Sequence, residues 1–210
     1  MNSLDGVMVV GLTGQTGAGK TTVCGVFESN GFTVINADLI AREVVRKGSL
    51  CLCELADCFG EKILASNGEL DRRYLSNIVF NDKCKLEQLN SISYPYITSE
   101  ILNQIKINSD IGKKLILLDA PTLFESRADD FCELIISVVA RQEIRLERII
   151  KRDELSEKEA RDRINSQLDE AFFKQNSDFI IKNNKGLDNL YAVAKEVSDK
   201  IKDYYNNKLI

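Results

Sequence analysis

The chain has 210 residues, enough for one complete α/β core with an inserted subdomain but not comfortably for two independent domains. Its apolar fraction of 44% is ordinary for a globular protein, and no apolar run is long enough to span a bilayer or to act as a signal peptide. A net charge of -4 supplies no broad basic surface, and histidine is absent, so nucleic-acid and membrane partners are not expected, imidazole catalysis is excluded, and any general base must be a carboxylate in a soluble, cytoplasmic protein.

The first predicted element is a buried strand over Met8 to Thr13. It runs into Gly14-Gln15-Thr16-Gly17-Ala18-Gly19-Lys20-Thr21, which matches the phosphate-binding loop pattern G-x-x-x-x-G-K-[ST], and Thr22 to Glu28 then reads as an opening helix closed by Gly31. Glycines let the backbone wrap closely around phosphate oxygens, and the helix that follows turns its positive end toward the same anion. Lys20 is placed to reach the β- and γ-phosphates. The Thr21 hydroxyl suits Mg²⁺, a hard cation that bridges phosphates and keeps oxygen ligands. The nucleotide cradle is accordingly assigned to Gly14 through Thr21 together with Thr22. A chance glycine-rich turn is the alternative, and the correct strand and helix on either flank argue against it.

A second strand is expected over Thr33 to Asn36, followed by Asp38. From there to about Lys113 the pattern is mainly helical, with an Asn67-Gly68 turn, Asp71 capping a helix from Arg72 to Phe80, and Pro95 in the first turn of a helix running toward Ile107. That is far more chain than a parallel crossover needs. We assign residues 60–112, approximately, to an inserted helical subdomain that holds an acceptor substrate, with purely structural elaboration as the alternative. Of the six cysteines, Cys51 and Cys53 fall in an amphipathic helix, where reduced half-buried thiols are expected rather than a metal chelate or disulfide.

Further strands are predicted over Lys114 to Asp119, Leu134 to Ala140 and Asp178 to Lys182. Strands alternating with helices give a five-stranded parallel sheet covered on both faces, with ligands at the carboxyl ends of the strands, where Asp38 and Asp119 fall. Gln142 to Asp153 is an arginine-dense helix, and Ser156-x-x-Glu159 is a capping box opening another helix through Arg161, Arg163 and Gln167. Many of these charges are solvated surface. Residues 142–170, approximately, also suit a lid, because arginines there can stabilise a transferring phosphoryl group and exclude water. A packing helix over Leu187 to Tyr205 completes the chain, which is expected to form a single domain over residues 1–210.

These parts suit a small-molecule phosphotransferase better than a switch GTPase, since Lys182-Asn183-Asn184-Lys185 shares only composition with the base-reading Asn-Lys-x-Asp motif. The match then becomes more specific. After the phosphate loop come Ala37-Asp38-Leu39-Ile40-Ala41-Arg42, Leu70-Asp71-Arg72-Arg73-Tyr74-Leu75, Ile78-Val79-Phe80 and Asp119-Ala120-Pro121-Thr122-Leu123-Phe124-Glu125. Leu146-Glu147-Arg148, Lys151-Arg152-Asp153, Arg163-Ile164-Asn165-Ser166-Gln167 and Ser177-Asp178-Phe179-Ile180-Ile181-Lys182-Asn183-Asn184 follow. In that order and spacing, from Val9 to about Val197, the chain resembles the dephospho-coenzyme A kinase family.

The resemblance implies a P-loop kinase fold, ATP and Mg²⁺ as cofactors, and phosphorylation of the ribose 3′-hydroxyl of dephospho-CoA in the last step of coenzyme A synthesis. It implies Asp38 as general base for that hydroxyl. Lys20, Arg148 and Arg152 would neutralise the transferring group, Asp119 would join Thr21 at the metal, and Asn183 would border the adenine. Arg42 and Arg72 suit the acceptor's phosphates, because a guanidinium matches phosphate oxygens in two-pronged fashion. For Asp119 a strand-end cap, and for the two arginines ordinary surface ion pairs, stay open as alternatives. Two departures stand out: Asn36-Ala37-Asp38 where the family usually has Asp-Ala-Asp, and Tyr94-Pro95 where it tends to have His-Pro. A related nucleoside or nucleotide kinase is a competing expectation that the Leu70-Asp71-Arg72 segment opposes. A non-catalytic nucleotide-binding relative is another, encouraged by Asn36 and Tyr94 alone.

Overall fold

In the computed structural model, which describes residues 6–79 and 82–208, five strands form one sheet in the order β2-β3-β1-β4-β5. The strands are β1 (Met8–Gly14), β2 (Thr33–Asn36), β3 (Leu115–Asp119), β4 (Leu134–Val139) and β5 (Phe179–Lys182). β1 is buried along its whole length and pairs in parallel with β3 on one side and β4 on the other, with Val10 opposite Leu117 and Leu12 opposite Ile136. Such a central strand must be apolar on both faces, which is why Met8-Val9-Val10-Gly11-Leu12 reads as a continuous apolar run rather than an alternating one.

The chain divides into two compact units, residues 1–35 with 108–210, and residues 36–107. In the first, α1 (Lys20–Ser29) and α9 (Leu187–Lys208) pack on one face of the sheet. Their contribution to the core is Val23, Phe27, Leu190, Ala194, Val197 and Ile201, which meet Val10, Leu12, Ile136 and Val138 of the sheet. The spacing of the α9 residues is the i, i+3, i+4 pattern of a helix that buries one stripe. Burying a side chain such as Phe27, which is fully enclosed, stabilises the fold by about 1.5–3 kcal/mol. The remaining helices of this unit are α6 (Gln142–Asp153), α7 (Glu157–Asn165) and α8 (Glu170–Gln175). α6 and α7 share a small core of their own around Ile149, Ala160 and Ile164.

The second unit holds α2 (Ala37–Glu43), α3 (Leu50–Phe59), α4 (Arg72–Val79) and most of α5 (Lys83–Asp110), around Cys51, Leu55, Ile63, Leu75 and Val79. Asp71 caps α4 as expected, its carboxylate accepting from the Tyr74 N–H at 2.9 Å. Phe80, the expected end of that helix, lies outside the described residues. At the Asn67-Gly68 turn the Asn67 side chain accepts from Glu69 N–H at 3.0 Å and Gly68 takes φ 79°, so that Leu64 and Leu70 can bridge antiparallel.

Three local expectations are corrected. Pro95 does not open a helix: it lies inside the 28-residue α5, whose first turn is instead capped by the Asp82 carboxylate accepting from the Lys85 N–H. The exposed proline removes one helical donor, and packing along the rest of this long helix tolerates the loss. Gln167 lies beyond α7, which ends at Asn165. Cys51 and Cys53 are not alike, since two residues along a helix turn it by about 200°, leaving Cys51 buried and Cys53 exposed.

Candidate active site

The phosphate-binding loop is built by a peptide chain that only glycine can follow at several points. A Cβ on Gly14, at φ 151°, would strike the Val138 carbonyl oxygen of β4, and one on Gly19, at φ 101°, would lie 2.5 Å from Asn183 Nδ2. The loop closes on itself through Gln15 N–H donating to Val138 O at 3.0 Å and Ala18 N–H donating to Gln15 O at 3.0 Å. The Gln15 side chain is buried, and its Oε1 has no partner among the described residues. Thr22 N–H donates to Gly19 O at 3.1 Å, which places Lys20, Thr21 and Thr22 in the first turn of α1, where the helix's positive end is strongest. Thr21 is exposed and Thr22 half-buried.

Lys20 forms an ion pair with Asp119, the last residue of β3. Both are largely buried, so the ammonium is held by the strand-end carboxylate rather than by solvent. The segment after Asp119 is fastened on two sides: Thr13 Oγ1 donates to the Pro121 carbonyl at 3.1 Å, and Phe124 packs edge-on against Phe172 of α8 with centroids 5.2 Å apart. One turn along α1 from Lys20, burial first and then the Asp119 charge push the Cys24 thiol up to about 11, with Lys20 opposing both.

The arginine-dense helix meets the loop directly. Arg148 donates to Gly17 O at 3.2 Å and to Asn183 Oδ1 at 3.3 Å, while Asn183 Nδ2 donates to Ala18 O at 2.8 Å. Asn183 is buried just after β5, with its backbone N–H on Val139 O. Arg152 is placed differently: it forms a two-pronged pair with its neighbour Asp153 at 2.7 and 2.8 Å, and Arg163 joins the same carboxylate at 2.7 Å. These bonds hold the Asp153 carboxyl below its usual range. Two residues of the site escaped the sequence reading. Arg145, which is buried, donates through Nε to Thr16 O at 2.9 Å, and Gln167 Oε1 accepts from Thr16 N–H at 2.8 Å. The available signal was that Arg145 stands four residues before Ile149, on the buried stripe of α6 rather than on its charged face.

In the second unit, Asn36 is the N-cap of α2, its side-chain oxygen accepting from the Leu39 N–H at 3.0 Å. Asparagine and aspartate cap equally well, so the departure at this position keeps a stabilisation of about 1 kcal/mol. Asp38 is exposed in the first turn of α2. Arg42 follows it by four residues, which on a helix sets the two on the same face about 6 Å apart along the axis. Exposed Arg72 reaches the backbone carbonyl of Arg42 at 3.4 Å. Arg42 and Arg72 line a cavity of about 240 Å³ with Arg46 and Lys47, and Glu69 is the only acid among the described residues that line it.

Among the described residues no cluster of three or more histidine, cysteine or acidic side chains is arranged to hold a metal. The Thr21 hydroxyl and the Asp119 carboxylate are hard oxygen groups, so their chemistry is compatible with Mg²⁺, a cation that takes most of its ligands from phosphate and water. No helix among the described residues is long and apolar enough to cross a membrane.

Comparison with known proteins bears directly on these features. A family model described as dephospho-CoA kinase matches residues 8–189. The chain is 39% identical to a dephospho-CoA kinase of Arabidopsis thaliana over 90% of its own length and 82% of the relative's. It is 37% identical to one from Listeria innocua over 95% and 98%. Among solved structures, one from Thermus thermophilus aligns with TM-score 0.75 and 25% identity over 92% of this chain and 97% of that one. A dephospho-CoA kinase from Campylobacter jejuni aligns with TM-score 0.58 and 29% identity over 94% and 96%.

Proposed function

Since this chain belongs to the dephospho-CoA kinase family, we propose that it transfers the γ-phosphoryl group of ATP to the ribose 3′-hydroxyl of dephospho-CoA, giving CoA and ADP. The observation that carries the reading is the phosphate loop, with Lys20 held against Asp119 at its mouth and two arginines of α6, Arg145 and Arg148, hydrogen-bonded to its backbone. Phosphoryl transfer needs little covalent chemistry from the protein, so positioning and charge stabilisation are what the site must supply.

In this reading the loop amides and the N-terminus of α1 bind the phosphates, and Lys20 leaves Asp119 for the β- and γ-phosphates when nucleotide enters. Asp38 accepts the proton of the attacking hydroxyl. With histidine absent, a carboxylate is the group suited to that task. Arg148 and Arg152 neutralise charge on the transferring group. For Arg152 this means exchanging Asp153 for phosphate, a substitution of one oxyanion for another. Asn183 acts on the nucleotide site by holding Ala18 O. Thr21 and Asp119 would hold Mg²⁺, which when bound offsets phosphate charge. Arg42 and Arg72 bind the acceptor's diphosphate. The 6 Å axial rise from Asp38 to Arg42 is comparable to the reach from a ribose 3′-oxygen to its 5′-phosphate. On this reading the insert of about residues 60–112 is the acceptor-binding subdomain, about residues 142–170 are the lid, and the enzyme acts in the cytoplasm.

A coupled assay with ATP, Mg²⁺ and dephospho-CoA, with product mass confirmed, tests this reading. CoA should form, adenosine and AMP should not replace the acceptor, and Asp38→Asn should lower kcat by about 10²–10⁴ while leaving ATP affinity intact. Undiminished turnover in Asp38→Asn would remove it as the base.

A further inference from the structure

We propose that Arg145 and Gln167 are positioning residues which set the phosphate-binding conformation of the loop by clasping Thr16 from both sides of its backbone. The inference rests on the reading that this loop binds ATP, and it concerns two residues that reading does not use. Arg145 Nε donates to Thr16 O at 2.9 Å, Thr16 N–H donates to Gln167 Oε1 at 2.8 Å, and Arg145 Nη2 donates to the same Gln167 oxygen at 3.2 Å. The three bonds close a ring around one peptide residue of the loop.

The consequence follows from peptide geometry. In a trans peptide the carbonyl of one residue and the N–H of the next point in opposite directions. Fixing Thr16 O toward Arg145 therefore turns Gly17 N–H the other way. Arg148 on Gly17 O and Asn183 on Ala18 O constrain the next two peptides by the same means. Three consecutive carbonyls are thus gripped by side chains. Without such grips a glycine-rich loop samples many orientations and must be ordered by the ligand, at a cost to affinity. Gln167 supplies the complementary constraint by taking Thr16 N–H out of the set free to meet an anion.

Cost also points to this role. Arg145 is 4% exposed, and its polar partners here are the neutral oxygens of Thr16 and Gln167. A buried guanidinium is expensive to desolvate, and Leu or Met would fill the same stripe of α6 beside Ile149 at no such cost. The chain keeps the cation where its donors end on the phosphate loop. Glu170 supports its charge from a neighbouring helix. Arg145 lies near the start of α6 and Gln167 just beyond α7, so the two-helix segment between them hangs from Thr16 at both ends.

The test is steady-state kinetics on the full chain carrying Arg145→Met, Gln167→Leu, Gln167→Glu or the first two together, with thermal unfolding measured on each. The KM for ATP should rise about tenfold in Arg145→Met and in Gln167→Leu, while the KM for dephospho-CoA stays within about twofold. Gln167→Glu should stay near the parent, because its carboxylate still accepts from Thr16 and Arg145. The double variant should be no worse than the weaker single one, since both act through Thr16. An ATP KM that does not move in Gln167→Leu, equal effects of Leu and Glu at 167, or parallel rises in both KM values would overturn the proposal. Should Arg145→Met fail to fold, the Leu and Glu pair at 167 decides alone. If the parent chain does not phosphorylate dephospho-CoA, the functional reading fails separately, and ADP affinity by calorimetry across the same variants still answers for the clasp.

Discussion

The two compact units hold their functional side chains in opposite ways. In the sheet-bearing unit, Lys20, Asp119, Arg145 and Asn183 are buried or nearly so and are hydrogen-bonded to one another or to the loop backbone. In the unit of residues 36–107, Arg42 and Arg72 are exposed, and Arg72 meets the Arg42 backbone carbonyl in a long 3.4 Å contact. A phosphate cradle that is ordered in advance loses little entropy on binding, whereas exposed arginines lose rotamer freedom when they close on an anion. The first arrangement favours tight, geometry-specific recognition of a transferring group. The second suits a flexible diphosphate-bearing acceptor that several side-chain poses can meet.

This contrast can be broken first at Lys20. Lys20→Met should reduce kcat/KM by about 10²–10³, because a preorganised donor aimed at developing charge is lost from a water-poor site. A change of less than about threefold would show that the buried pair with Asp119 is structural only. Smaller effects are expected on the exposed side. Arg72→Ala or Arg42→Ala should raise the KM for dephospho-CoA by about three- to tenfold, leave that for ATP unchanged, and hardly move the unfolding temperature. In the parent, the same KM should climb with added salt, since exposed charges are screened over about 10 Å at 0.1 M. An ATP-specific effect instead would transfer these arginines to the nucleotide.

The mildest probe is a titration. Cys24 carries a thiol pushed up to about 11, first by burial and then by the charge of Asp119. A thiolate beside a carboxylate is disfavoured, so removing that charge in Asp119→Asn should lower the midpoint of the pH dependence of Cys24 alkylation, followed by peptide mass spectrometry. Burial persists, so the midpoint should stay above the ordinary value of 9.0. An upward shift would mean that Lys20, released from Asp119, has moved away from Cys24 rather than toward it.

Much of this molecule is local in origin and could be read from the chain. The five strands are where apolar runs predict them, most clearly β1, which is buried on both faces and needs unbroken hydrophobicity. The phosphate loop, the Ser156–Glu159 capping box and the Asp71 cap depend on neighbours three or four residues away, so their patterns are complete in the sequence. Pro95 misled because proline's local preference for a first turn was overridden by packing along α5. Asn36 looked like a lost carboxylate, yet its conformation makes it a cap.

Periodicity, glycine placement and capping act over a few residues, so the set of elements and the chemistry of the loop are legible in the chain alone. Long-range packing is what turns Arg145 inward to Thr16 across 129 positions, gives Arg148 and Asn183 the loop's carbonyls, and rests Arg152 on Asp153. An arginine on a helix looks the same in sequence whether it faces water or backbone. The choice is made by which surface the fold brings against it and by whether the hydrogen bonds offered there repay its desolvation.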